Sequence, residues 1–137
     1  MKLEDITSFE EKHKYLEENL QDDMYVRTSD NGIDKFKFKF KNDGKPFYTY
    51  YFEKTSMTNP ESYIVKEPSY NIIDLIEVGD YVNGYKVSFK DNDYKPFVQC
   101  DYPVQEGTTN HYRFYEEAIY SIVTKEQFSQ MEYKVVE

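Results

Sequence analysis

The sequence predicts an α+β protein: an N-terminal helix with an antiparallel β-meander, followed by a small β-barrel. Three observations lead there. An early segment repeats apolar residues at helical spacing behind a capping signal. Later runs alternate with period two and are punctuated by Asn-Gly and Asp-Gly turns. The composition is rich in rings, with 15 Tyr and 10 Phe among 137 residues. Aromatic side chains suit pleated, half-buried surfaces, where a tyrosine ring enters the core and its hydroxyl stays in water. A disordered chain of net charge −9 is normally poor in aromatics, so an 18% share predicts a folded core.

The helix comes first. Thr7 and Ser8 stand three residues before Glu10 and Glu11, a spacing that ties up free N-terminal amides. Phe9, Leu16 and Leu20 fall on one stripe with His13 between them, so the helix ends near Leu20 or Gln21. Its other side carries Glu10, Glu11, Lys14, Glu17 and Glu18, followed by Asp22 and Asp23.

A meander follows. Tyr25-Val26-Arg27 leads into the turn Asp30-Asn31-Gly32. From 33 to 41, Phe36, Phe38 and Phe40 interleave with Lys35, Lys37, Lys39 and Lys41, which places phenylalanines on one face and lysines on the other. Asn42-Asp43-Gly44 turns the chain into a third strand over 47–54, aromatic on both faces and therefore expected to be covered. Residues 55–71, with Asn59-Pro60 and Glu67-Pro68, read as a connector with room for a short strand at Tyr63-Ile64-Val65. The domain reading is thus helix plus meander over 1–54, connector over 55–71 and barrel over 72–137.

In the second half, 72–78 reads as a strand. Gly79-Asp80 reads as a turn, and Asn83-Gly84 as the tip of a tight hairpin. Further strands are expected over 94–100, 111–116 and 118–123. Thr124 with Gln127 forms a second capping box opening about one helical turn, and Tyr133-Lys134-Val135-Val136 reads as a closing strand. Five short strands with a helical turn before the last is the layout of an SH3-like β-barrel, which removes exposed sheet edges.

Charge and length set the outer limits. At 137 residues there is room for one domain or two very small ones. No apolar run approaches the roughly 18 residues of a membrane span, and the acidic start Met1-Lys2-Leu3-Glu4-Asp5 has no apolar signal region. A lone cysteine, Cys100, makes no internal disulfide, which favours a reducing cytoplasm.

The runs Ile72-Ile73-Asp74-Leu75-Ile76-Glu77-Val78-Gly79-Asp80-Tyr81-Val82-Asn83-Gly84-Tyr85-Lys86-Val87 and Ser121-Ile122-Val123-Thr124-Lys125-Glu126-Gln127-Phe128 resemble a C-terminal module of small proteins from phages, prophages and plasmids of Gram-positive bacteria. The resemblance covers about the last 65 residues, the family setting variable N-terminal parts before a similar tail. It implies an accessory gene of a mobile element, expressed in the bacterial host cytoplasm, and brings no known catalytic site.

The residues offer little for chemistry. His13 and His111 are far apart and, with Cys100, fall short of the roughly four ligands of a structural zinc site. Neither GxGxxG, GxxxxGK[ST] nor GxSxG occurs. Cys100 with His111 would be a nucleophile and base only if neighbouring strands brought them together; a buried cysteine is the plainer reading. Asp91-Asn92-Asp93 lacks the glycine and glutamate of a calcium loop and reads as a turn. Residues 35–54 hold six basic and two acidic residues, but the surrounding chain is acidic, so the expectation is no direct nucleic-acid binding and lysines that blunt a strand edge.

The functional expectation is therefore a non-enzymatic protein without cofactor or metal. It binds and inhibits a host defence protein, an anti-CRISPR acting on a basic Cas nuclease by imitating the charge of DNA. The expected partner-binding carboxylates are Glu10, Glu11, Glu17, Glu18, Asp22 and Asp23 in one patch, and Asp74, Glu77, Asp80, Asp91 and Asp93 in another, with nearby tyrosines as anchors. The alternative is a non-inhibitory phage accessory or assembly module. An enzyme or small-molecule sponge is a third.

Overall fold

The computed structural model describes residues 3–41, 43–44, 48–58, 63–105 and 108–135, and divides into two compact units, residues 1–70 and 71–137. Both combine helix with antiparallel sheet, as the sequence predicts.

In the first unit, helix α1 spans Phe9–Asn19, and the Ser8 side chain accepts the Glu11 amide at 3.2 Å. The backbone N–H of Leu20 closes the helix by donating to the Leu16 carbonyl. Leu16 and Leu20 are buried, but Phe9 is 48% exposed, so the apolar stripe reaches the core only from its second turn onward. Four strands follow in the order β1 (Tyr25–Thr28), β2 (Gly32–Lys41), β3 (Tyr48–Phe52) and β4 (Ser56–Thr58), each antiparallel to the next. The core joins Leu16 and Leu20 of the helix to Val26, Phe36, Tyr50, Phe52 and Ile64. Phe36 meets Phe52 edge-on at 5.8 Å and Tyr50 at 6.0 Å, arrangements that ring quadrupoles favour. The stretch read as a connector supplies β4, and Thr28 forms a β-bridge with the buried Ile64. Phe47, expected to open the third strand, lies outside the described residues.

One irregularity decides which side chains face solvent. Phe36 pairs with Phe52 but Phe38 pairs with Tyr51, so Lys37 is an extra residue in β2. A β-bulge of this kind reverses which face each later side chain takes. Phe36 enters the core, whereas Phe38 and Phe40 fall on the outer face, 52% and 57% exposed. Lys39 and Lys41 pair instead with the inward-facing Tyr50 and Tyr48.

The second unit begins with a 3₁₀ turn at Ile72–Leu75, capped by the Asn71 side chain, in place of the strand that the sequence predicts. Ile73, Leu75 and Ile76 are all buried; a short apolar run reads the same by periodicity whether it is strand or helical turn. The sheet then runs β5 (Tyr81–Val82), β6 (Tyr85–Asp91), β7 (Phe97–Gln105), β8 (Thr108–Tyr115) and β9 (Ile122–Val123), in the spatial order β8-β7-β6-β5-β9. Asn83 and Gly84 hold φ of 53° and 89° at the β5–β6 tip, the two positive values a tight hairpin turn requires. A 3₁₀ turn at Glu116–Ala118 precedes β9, which is shorter than the strand expected over 118–123.

The expected closing strand is not formed by its described residues. Tyr133 to Val135 continue α2, which runs Lys125–Val135, while Val136 lies outside the described residues. The capping box is reciprocal: the Thr124 amide donates to Gln127 Oε1 at 3.0 Å and the Gln127 amide to Thr124 Oγ1 at 3.2 Å. Behind so secure a start, a run rich in Lys, Glu, Gln and Met propagates as helix.

Candidate functional site

The two acidic groups read from the sequence have different structural fates. On α1, Glu10, Glu11, Glu17 and Glu18 are all exposed. Glu10 and Glu17, and likewise Glu11 and Glu18, are seven residues apart, nearly two turns, so they form two rows each about 10 Å long. Lys14 lies between the rows, and His13 Nε2 contacts Glu17 at 3.1 Å. Among the described residues no basic side chain pairs with Glu10, Glu11, Glu18 or Asp22. Asp23, exposed at the end of the turn with φ of 72°, lies 3.4 Å from Lys37 Nζ.

The second group is not one surface. Asp80 is fully buried and accepts the Glu77 amide at 2.7 Å and the Lys125 amide at 2.9 Å. It therefore braces the turn before β5 and the first amide of α2, and cannot present its carboxylate to a partner. That corrects its place among the contact residues. Glu77 is held by Lys125 Nζ at 2.8 Å. Asp74 and Asp91 are half-buried, and Asp91 is engaged by the Asp93 amide at 2.8 Å, leaving Asp93 as the exposed acid of the set.

The reactive candidates separate as well. Cys100 pairs across the sheet with Tyr112 and His111 with Asp101, so successive residues place the thiol and the imidazole on opposite faces. Cys100 is buried, and that burial, with the neighbouring Asp101 charge, pushes its thiol up to about 11. A thiolate is scarce at such a value. His111 Nδ1 instead lies 2.6 Å from Asp101 Oδ1, which also accepts the Ser88 hydroxyl at 2.9 Å. These bonds, His111 first, hold the Asp101 carboxyl below its ordinary value. Asp101 stands between serine and histidine, so the histidine is not placed to take the serine proton, as a nucleophile–base pair needs. Among the described residues no three His, Cys, Asp or Glu side chains converge to hold a metal ion. An open depression of about 260 Å³ in the first unit is lined by Asp30, Asn31, Met57 and Tyr63. No described helix is long and apolar enough to cross a membrane.

Ring surfaces are what sequence reasoning placed least well. On the outer face of the first sheet, Phe38 stacks on Tyr51 at 4.7 Å beside Phe40. In the second unit, Tyr85, Tyr112 and Phe114 cluster with centroids 5.1–6.5 Å apart. The alternation in β2 signals two faces but not the bulge that turns the phenylalanines outward. No family model matches the sequence, and no curated protein or solved structure is significantly similar to it.

Proposed function

We propose that this protein is a mobile-element accessory factor of the bacterial cytoplasm that binds and inhibits a host defence protein. The target is a basic, nucleic-acid-binding nuclease such as a Cas effector, and the inhibitor transforms no substrate. The observation that carries the reading is the pair of glutamate rows on the solvent face of α1. Their length of about 10 Å is close to three phosphate steps along one strand of duplex DNA, at roughly 3.4 Å each. Carboxylates so spaced suit a channel lined by Arg and Lys. With Asp80 buried and Asp74, Glu77 and Asp91 half-buried, contact is assigned to the exposed group Glu10, Glu11, Glu17, Glu18, Asp22 and Asp23.

The second unit is proposed to be an SH3-like half-barrel that supports the interaction. Its strand order, with the first strand between the second and the last, and its 3₁₀ turn before the last strand both favour that reading. The cluster of Tyr85, Tyr112 and Phe114 favours a second reading, a non-inhibitory interaction module, because part-exposed aromatics are common anchors.

A pull-down from a Gram-positive lysate tests the choice. The inhibitor reading expects a nuclease effector, released as salt rises because the contact rests on charge pairs. Glu17→Lys with Glu18→Lys should abolish inhibition while leaving the helical circular dichroism intact. Unchanged inhibition removes the α1 face from the contact, and recovery of a virion component favours the module.

A further inference from the structure

Along β2 the paired neighbour changes partway, from β1 to β3, with main-chain links to both sides only around Lys35 and Phe36. β1 pairs with residues 32–35, and the last main-chain link on that side joins the Asp23 amide to the Phe36 carbonyl. From Lys37 to Lys41, β2 is paired with β3 alone, and no described strand occupies its other side. All five residues, Lys37, Phe38, Lys39, Phe40 and Lys41, are exposed. An open strand edge of this length is a template for another strand, and its side chains dictate which strand fits. Phe38 and Phe40 point to one face, while Lys39 and Lys41 point to the other.

The chain already supplies a precedent. Asp23 lies on the line that β1 would take if it continued, and its carboxylate reaches Lys37 at 3.4 Å. Its positive φ is a bend in the chain at that point. One acidic residue thus sits across from the first lysine of the edge. A second copy of the same edge would set lysine against lysine, which is unfavourable for directly opposed residues.

We propose that residues 37–41 are a docking edge for an extended acidic peptide of a partner protein. In that peptide, Asp or Glu alternates with an aromatic or aliphatic residue. It joins the sheet as an added strand, its main chain bonding to β2. Its apolar side chains lie beside Phe38 and Phe40, and its carboxylates meet Lys39 and Lys41 on the other face. This site uses none of the α1 glutamates, and the proposal does not depend on nuclease inhibition.

Fluorescence anisotropy on the purified protein tests it, with a labelled Glu-Val-Glu-Tyr-Glu-Val-Glu peptide, its Lys-for-Glu counterpart and a labelled oligo-dT. The acidic peptide should bind saturably, protect amides within 37–41 from hydrogen exchange, and bind at least about fivefold more weakly to Phe38→Ala/Phe40→Ala. Lys39→Glu/Lys41→Glu should weaken it about tenfold, in line with two lost cross-strand ion pairs and two repulsive ones gained. The same variant should acquire affinity for the basic peptide together with its protection of the amides within 37–41, a combination that a misfolded and merely more acidic chain cannot give. Absence of saturable binding, or binding indifferent to the charge reversal, overturns the proposal. So does oligo-dT protecting the same amides where the acidic peptide does not, which would assign the surface to nucleic acid.

Discussion

Removing the Asp80 carboxylate should destabilise the second unit far more than removing an exposed acid such as Asp93. Asp80 is fully buried and holds two amides far apart in sequence, that of Glu77 at 2.7 Å and that of Lys125 at 2.9 Å. Hydrogen bonds to a charged group contribute about 1.5–3 kcal/mol each. Asp80→Ala deletes both acceptors and strands a half-buried amide at Glu77. Lys125 stands at the surface, so water recovers part of the second bond, and the net loss should be about 2–4 kcal/mol. For a unit of 67 residues that is a fall of roughly 10–30 °C in Tm. Asp80→Asn keeps the shape and one acceptor but turns an NH₂ towards the other amide, so it should lose about half as much. Thermal unfolding followed by circular dichroism, with hydrogen exchange at the Glu77 and Lys125 amides, reads both effects. An Asp80→Ala shift under about 4 °C, or unchanged exchange at both amides, would refute the assignment of a bracing role.

Other outcomes follow from the same geometry. Asn83 donates Nδ2–H to the Ala118 carbonyl at 2.9 Å and accepts the Tyr120 and Ser121 amides at 2.9 and 3.2 Å. Asn83→Gly, which tolerates the positive φ, should therefore still cost about 1–3 kcal/mol in urea unfolding. Cys100 in the folded protein should react with iodoacetamide at pH 8 at least about a hundredfold more slowly than in urea, because a thiol raised to about 11 is almost wholly protonated there. Its folded value lies above the unfolded one, so the associated stability is full below about pH 9 and is lost as pH climbs through about 11. Asp101 has the opposite sign. Its lowered carboxyl contributes stability above the unfolded value near 3.9 that is lost as pH falls through the folded value. An NMR titration of Asp101 should move back towards that ordinary value in His111→Ala.

The local punctuation was legible in the residues themselves. Ser8 caps α1, Thr124 and Gln127 cap α2, and Asn83-Gly84 turns the β5–β6 hairpin, because each signal is completed within four residues of chain. The exposed glutamates of α1 belong to the same class, since the helical period alone sets them opposite Leu16 and Leu20. What the tertiary structure decided is register and burial, which depend on distant partners. One extra residue at Lys37 against β3 sends Phe38 and Phe40 outward. Asp80 is a brace because residue 125 arrives beside it from 45 positions away. Cys100 and His111 are parted by the two faces of the sheet. The physical reason is common to all three: a side chain's surroundings are set by which strand it meets and at what offset, and a single added residue inverts the answer.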